Sequence, residues 1–166
     1  MAPAKRIRTR RPSYTAGVAE IDHIAVAVHG LTAATKLYGL LGLEPGEPET
    51  IDSEGVRVVM LPVGAVNIEL LEPTDPQSSV ARFLDRRGEG LHHIALRVEN
   101  LASTAAHLQE AGVRLVNNAI QTGAGGHRYV FIHPASADGV LIELVEAPPA
   151  AADEAREDSH GKDKSL

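Results

Sequence analysis

Two stretches of this 166-residue chain carry nearly the same order of apolar and polar positions. The first is IDHIAVAV, from Ile21 to Val28, and the second is LHHIALRV, from Leu91 to Val98. Alternation of this kind, rich in β-branched residues, is typical of a strand. The third residue of each stretch is a histidine, and the two histidines are 70 positions apart (93 − 23 = 70). The pattern therefore predicts two equivalent strands that contain His23 and His93.

The segments that follow each of these strands also correspond. GLTAATKLYGLLG and NLASTAAHLQEAG have helical spacing and end at glycines, and Thr32 is the predicted cap of the first helix. Further predicted strands are GVRVVMLPVG and AVNIELLEP in the first half, and VRLVNN, HRYVFIHP and GVLIELVE in the second, where TGAGG is a predicted loop. DPQSSVARFLDRRGEG predicts a short connecting helix that is capped by Ser78 or Ser79 and ends at Gly88. Each half thus has a strand, a helix and about three more strands.

The last strands of the two halves match as well. NIELLE corresponds to LIELVE, which pairs Glu69 with Glu143 at a separation of 74 (143 − 69 = 74) and Glu72 with Glu146. The change from 70 to 74 is what one loop insertion would produce. We interpret the chain as a duplicated βαβββ unit, with repeat one at about residues 20–74 and repeat two at about residues 90–147.

Composition and charge limit the possible functions. The formal net charge of −6 argues against binding of nucleic acid, which needs a basic face. The chain contains no cysteine, and this excludes disulfides, thiolate metal sites and cysteine nucleophiles. No apolar run approaches the ~20 residues that cross a bilayer, so no membrane association is predicted. Residues 1–17 carry five basic residues and no acidic ones, and residues 148–166 are polar; both are predicted to be disordered arms of a domain at 18–147.

Four residues are candidates for a metal site. Strand parity places His23 on the same face as two alanines, which leaves space above it, and His93 is equivalent. Glu69 and Glu143 lie between apolar neighbours in their strands, where a buried carboxylate needs a partner. A single strand histidine or glutamate is usually structural, but here all four occupy equivalent repeat positions. We therefore predict that they share one divalent metal ion. Parity places His92 on the opposite face.

These motifs together resemble the vicinal oxygen chelate superfamily and, within it, the methylmalonyl-CoA epimerases. The resemblance rests on IDHIAVAV, LPVGAVNIELLEP, GEGLHHIALRVEN, VFIHP and GVLIELVE, and it covers about residues 20–147. It implies an α+β fold in which two βαβββ repeats form a curved, mostly antiparallel eight-stranded sheet around a metal-binding cleft. Its implied metal ligands are His23, Glu69, His93 and Glu143. The implied ion is Co²⁺, with Mn²⁺, Ni²⁺, Zn²⁺ or Mg²⁺ as alternatives, and a homodimer is implied too.

The activity that this resemblance implies is the interconversion of (2R)- and (2S)-methylmalonyl-CoA. The C2 proton of this CoA thioester is removed and returned through a metal-stabilised enolate. We predict Glu143 as the leading base and Glu69 as its counterpart on the other substrate face. Substrate contacts are predicted for Ser78, Gly125 and Arg128, the last two in a glycine-rich loop. The predicted location is the cytoplasm, or the mitochondrial matrix if the basic arm is a transit peptide.

Two departures from the epimerase pattern keep alternatives open. Many epimerases have glutamine where this chain has Glu69, so the ligand set also fits a glyoxalase I-type lactoylglutathione lyase. Some epimerases carry a catalytic glutamate where this chain has Val58, and Asp52 or Glu54 could replace it, although both are more typical of solvated loop residues. A second alternative, independent of these departures, is a non-catalytic small-molecule-binding protein on the same fold. Retention of all four ligands argues against it.

Overall fold

The computed structural model of this chain describes residues 20–123 and 126–146, and it contains eight strands and three α-helices within these ranges. In chain order, the elements are β1 (Glu20–Ala27), α1 (Leu31–Leu40), β2 (Glu49–Ile51), β3 (Val56–Val63), β4 (Val66–Pro73), α2 (Ser79–Arg87), β5 (Gly90–Val98), α3 (Leu101–Glu110), β6 (Gln121–Thr122), β7 (Arg128–Ile132) and β8 (Ile142–Glu146). A 3₁₀ turn at Pro134–Ser136 precedes β8. The two predicted arms fall on residues outside the described ranges.

All eight strands belong to one sheet, and its order reflects the duplication. The order is β2-β3-β4-β1-β5-β8-β7-β6, with the antiparallel pair β1 and β5 in the middle. On either side, β4 runs parallel to β1 and β8 runs parallel to β5; the remaining pairs are antiparallel. The sheet curls into a half-barrel, which confirms the predicted α+β fold with two βαβββ units. The first strand of each repeat therefore meets its counterpart at the centre of the molecule.

The second repeat differs from its prediction between α3 and β7. VRLVNN does not form a strand; within it, Leu115 makes one isolated bridge to Ile132. The two asparagines that end this segment are poor strand formers, and this fits the loss of a continuous ladder. The strand that pairs with β7 is instead β6, where Thr122 lies opposite Arg128. Thr122 opens the segment that was predicted to be a loop.

The connecting helix α2 begins and ends as predicted. The Ser78 hydroxyl accepts a hydrogen bond from the Ala81 N–H at 3.1 Å, which makes Ser78 the cap. The helix stops at Gly88, whose φ of 73° is one that L-residues rarely adopt. Val80 and Leu84 of α2 are buried against β1, β3 and β4, where they close one side of the concave sheet face.

Repeat-related glutamates, not the predicted Thr32, occupy the starts of the other two helices. Gly30 precedes α1 and makes no side-chain cap; the Leu31 N–H donates to the Glu72 carboxylate at 2.9 Å. The Leu101 N–H at the start of α3 donates to Glu146 at 3.3 Å, in addition to the Asn100 side-chain cap. A carboxylate at a helix N-terminus is favoured by the helix dipole. The end of each repeat's last strand is thereby tied to the start of that repeat's helix.

Both faces of the sheet carry apolar packing. The alternation in β1 predicts that the face with Ile24 and Val26 is the core, but Ala25 and Ala27 on the other face are fully buried. The reason is that α2 covers the concave face, whereas α1 and α3 pack on the convex face. Across the ranges that the structure covers, we find no helix with the length and apolar character needed to cross a membrane.

Candidate metal centre

The four predicted ligands come from the four central strands of the sheet. His23 lies on β1, Glu69 on β4, His93 on β5 and Glu143 on β8. The register brings them together, because Ala25 of β1 is paired with both Glu69 and His93. All four side chains are buried, with between 5% and 8% of each residue exposed. Burial of two imidazoles and two carboxylates is costly unless they have partners or bind a cation.

The side-chain atoms of these residues point at one another. The Nε2 atoms of His23 and His93 are 3.2 Å apart, and Glu143 Oε2 lies 3.2 Å from the first and 3.1 Å from the second. One ligand atom from each of these three residues lies within 4.8 Å of the other two. Glu69 Oε2 approaches from β4, at 3.4 Å from His23 Nε2 and 3.8 Å from His93 Nε2.

This donor set fits a divalent metal ion. Two imidazole nitrogens and carboxylate oxygens suit borderline divalent ions such as Zn²⁺, Co²⁺ or Ni²⁺. The Nε2 atoms of His23 and His93 face each other across a distance at which only one can donate and the other must accept. A cation between them would let both present a lone pair. His23, His93 and Glu143 could therefore hold a divalent metal ion, and the assignment of these three residues and of Glu69 as its ligands stays a prediction.

The four side chains form a buried cluster of titratable groups that shift one another's pKa values. For His23, burial lowers the pKa, but the hydrogen bond to Asp22 and the nearby carboxylates raise it to about 10. For Glu143, burial raises the pKa, but hydrogen bonds with both histidines lower it to about 2. The pKa of Glu69 is raised, mainly by burial. The two repeat-related carboxylates thus differ in basicity because Glu143 is the closer to both imidazoles.

His92 does not point away from the site, and the prediction from strand parity is wrong. Its Nδ1 lies 2.9 Å from Nδ1 of His93, and its ring lines the same cleft. The cause is a register shift: two steps on β5, from His93 to Leu91, lie opposite one step on β1. Such a bulge re-aims a side chain. Burial lowers the pKa of His92 to about 4, so this ring is neutral at pH 7.

Asp22 is a site residue that the sequence pattern does not reveal. Its Oδ2 lies 2.9 Å from Nδ1 of His23, and its Oδ1 accepts a hydrogen bond from Arg97 Nε at 2.8 Å. Hydrogen bonds to His23 and Arg97 outweigh burial and lower the pKa of Asp22 to about 2. The only hint in the sequence was the position of Asp22 directly before the candidate ligand His23.

The cluster of candidate ligands opens into a cleft of about 720 Å³ that both repeats line. Glu54 contributes from the turn between β2 and β3, and Tyr129 from β7; the Tyr129 hydroxyl donates to Glu54 Oε1 at 2.8 Å. Burial and this hydrogen bond raise the pKa of Tyr129. Asp52 and Val58 line the cleft too. Glu54 is therefore bonded to the other repeat, and it is not a freely solvated loop residue.

The three predicted substrate-binding residues lie in different settings. Ser78 is buried, lines the cleft and uses its hydroxyl to cap α2. Arg128 donates to Glu146 at 2.7 Å and does not line the cleft. Its counterpart in the first repeat, Arg57, makes the same contact with Glu72 at 2.9 Å. Gly125 lies outside the residues that the structure describes. Contacts of Ser78, Arg128 and Gly125 with substrate stay predictions.

Comparison with known proteins identifies the family. The model of the glyoxalase/bleomycin resistance protein/dioxygenase superfamily matches residues 22–131, which include three of the four candidate ligands. The chain belongs to this superfamily. Within it, the mitochondrial methylmalonyl-CoA epimerase of Bos taurus is 36% identical over 129 residues, which are 76% of this chain and 74% of that protein.

Solved structures of superfamily members agree in fold as well as in sequence. The methylmalonyl-CoA epimerase of Mycobacterium tuberculosis superposes with a TM-score of 0.73 and 41% identity, over 78% of this chain and 88% of that chain. A methylmalonyl-CoA epimerase in complex with methylmalonyl-CoA and NH4+ gives a TM-score of 0.75 and 36% identity, over 80% and 97%.

Proposed function

We propose that this protein is a metal-dependent epimerase that interconverts (2R)- and (2S)-methylmalonyl-CoA. Two observations together carry the proposal. The chain contains the buried His23–His93–Glu143 cluster, and most of its length is similar to methylmalonyl-CoA epimerases. These relatives favour the epimerase over the glyoxalase I-type lyase, which Glu69 as a fourth ligand would also allow.

The chemistry requires a proton to leave C2 and return on the opposite face. A bound divalent ion would act as a Lewis acid that stabilises the enolate formed from the thioester. His23, His93, Glu143 and Glu69 would hold this ion. The chain's own carboxylates would move the proton, and a carboxylate can do so only from within hydrogen-bonding reach of C2. Glu143 is the proposed base because it is a carboxylate at pH 7 that lies within the metal-binding cluster.

Glu69 is the proposed partner on the other face of the substrate. It occupies the equivalent position of the first repeat and approaches the two imidazoles from β4, whereas Glu143 approaches them from β8. The pseudo-two-fold relation between β1 and β5 therefore presents one carboxylate from each repeat. Val58 supplies no acid or base to the cleft. Glu69 would accordingly donate the proton that completes inversion.

Several finer points belong to the same proposal. We propose Co²⁺ as the ion, on the resemblance to the epimerases, and contacts of Ser78, Gly125 and Arg128 with the CoA thioester. A homodimer is supported by the leucines at the end of α1, since Leu37 and Leu40 are 60% and 87% exposed. Location in the cytoplasm or the mitochondrial matrix stays a prediction from the sequence.

A direct test is proton NMR of methylmalonyl-CoA in D₂O with the cobalt-loaded protein. The proposal expects exchange of the C2 proton and loss of stereochemical purity from either pure epimer. Protein stripped of metal should be inactive and should recover when Co²⁺ is restored. A parallel reaction with the hemithioacetal of methylglyoxal and glutathione should give no lactoylglutathione. Turnover of the hemithioacetal without exchange in methylmalonyl-CoA would contradict the proposal.

A further inference from the structure

A symmetric pair of backbone irregularities lies beside the two ligand histidines. On β1, the register advances two residues from Ile21 to His23 while β5 advances one, so Asp22 is the extra residue. On β5, the register advances two residues from His93 to Leu91 while β1 advances one, so His92 is the extra residue. The separation of the two extra residues equals that of the ligand histidines (92 − 22 = 70). The duplicated unit thus carries one bulge at the same place in each repeat.

Each bulge brings the extra side chain onto the far nitrogen of the following histidine. In a regular strand, consecutive side chains point to opposite faces, and neither contact could form. Here Asp22 Oδ2 lies 2.9 Å from His23 Nδ1, and His92 Nδ1 lies 2.9 Å from His93 Nδ1. The Nε2 atoms of the two ligand histidines remain directed at each other and at Glu143.

We infer that Asp22 and His92 are the positioning residues of the metal centre and that each fixes one histidine with its proton on Nδ1 and its lone pair on Nε2. A carboxylate can only accept from Nδ1–H, so Asp22 selects this tautomer of His23. His92 makes the same selection for His93 when its own Nδ1 accepts and its Nε2 carries the proton. The inference rests on the metal site and does not depend on the identity of the substrate.

The two positioning residues are themselves held in place, by different means. Asp22 is bound by Arg97, which lies on β5, so the orientation of His23 depends on a residue of the other repeat. The ring of His92 packs edge-on against Phe83 of α2, with 5.0 Å between the ring centroids. The duplicated site is therefore asymmetric: an anionic acceptor supports His23 and a neutral acceptor supports His93. An anionic acceptor makes the histidine a stronger donor to the metal.

The test is the affinity for Co²⁺, measured by competition with a chelator, together with the tautomer of His93 in the metal-free protein. His92→Leu removes the acceptor, and His92→Asn keeps one within reach of the same nitrogen. We expect His92→Leu and Asp22→Ala to bind Co²⁺ about 10- to 100-fold more weakly, and His92→Asn to recover most of the loss. His29→Leu makes the same exchange of side chains at an exposed position outside the cleft and should bind Co²⁺ as the wild-type protein does.

A measurement on the wild-type protein keeps the inference testable even if a variant fails to fold. Long-range proton–nitrogen correlation spectra of the metal-free protein with ¹⁵N-labelled histidine should show His93 with a proton on Nδ1 and none on Nε2. A His93 protonated on Nε2 alone would overturn the inference, as would wild-type affinity in folded His92→Leu and Asp22→Ala. Neither measurement uses a CoA ester. If the epimerase proposal failed, both would therefore still decide whether Asp22 and His92 position the ligand histidines.

Discussion

The assignment of Glu143 as base can be tested with a substitution that changes its charge and little else. Glu143→Gln keeps the length and shape of the side chain, and its amide oxygen can still face the imidazoles that now lie 3.2 and 3.1 Å from Oε2. Three of the four proposed donors are untouched. We therefore expect the variant to bind metal with reduced affinity. Its activity should be measured at saturating Co²⁺.

The expected loss of rate in Glu143→Gln follows from the role of Glu143 as a general base. A positioned general base contributes about 10²- to 10⁴-fold to a rate, which corresponds to about 3–5 kcal/mol in the activation free energy. An amide cannot take a proton at neutral pH, so this whole contribution should be lost from C2 exchange. If the carboxylate serves only as a ligand, restoring full occupancy should restore most of the rate.

The assay is the incorporation of deuterium at C2, followed by NMR separately from stereochemical inversion. Glu69→Gln provides an informative comparison, because exchange needs one acid–base group and inversion needs two. We expect Glu69→Gln to slow inversion more than exchange. Glu49→Gln, on an exposed edge strand outside the cleft, is the matched control and should leave both rates unchanged. Exchange at the wild-type rate in metal-saturated Glu143→Gln would refute the assignment.

Three further outcomes can be measured on the purified protein. The pKa of His23 is raised from 6.5 to about 10. In protein treated with EDTA, the contribution of His23 to the free energy of unfolding should therefore be complete below pH 6.5 and disappear as the pH rises through 10. Urea titrations should show this pH dependence in the wild-type protein and not in His23→Gln. Gly55→Ala should lower the free energy of unfolding by about 1–3 kcal/mol, because Gly55 has φ +63° and a Cβ there would lie 2.7 Å from that of Asp75. Gly39→Ala within α1, where a Cβ would meet nothing within 4 Å, should instead be neutral or stabilising; urea unfolding of both variants measures the difference. Glu72→Gln should lower the free energy of unfolding by about 0.5–2 kcal/mol, because it weakens the contact at the start of α1. Glu146→Gln should lower it less, because the contact of Glu146 with the α3 N–H is 3.3 Å long against 2.9 Å for Glu72. Equal losses in urea unfolding would contradict this order.

The duplication was readable from the sequence because it leaves equal separations between chemically equal residues. At separations of 70 and 74, each ligand has the same place in its strand's pattern as its counterpart in the other repeat, and pairing of the two halves brings the four together. The duplicated unit and the grouping of the four candidate ligands were therefore predictable from the sequence. No knowledge of loop structure was needed.

The errors have a common physical origin in features that periodicity does not encode. A bulge adds one residue and reverses parity locally, and this is why His92 faces the cleft and Asp22 contacts His23. The contact between Tyr129 and Glu54 joins residues 75 positions apart, so it depends on how the two halves curve toward each other. The apolar spacing of α1 identifies a helix correctly, but it cannot say that Leu40 is left exposed.

The most direct test of the account is anomalous diffraction from crystals loaded with Co²⁺. The account predicts one strong peak per chain, bonded to Nε2 of His23 and of His93 and to carboxylate oxygens of Glu69 and Glu143. A peak bonded to residues of a single repeat, or located elsewhere on the chain, would contradict the claim that the two halves build one metal centre.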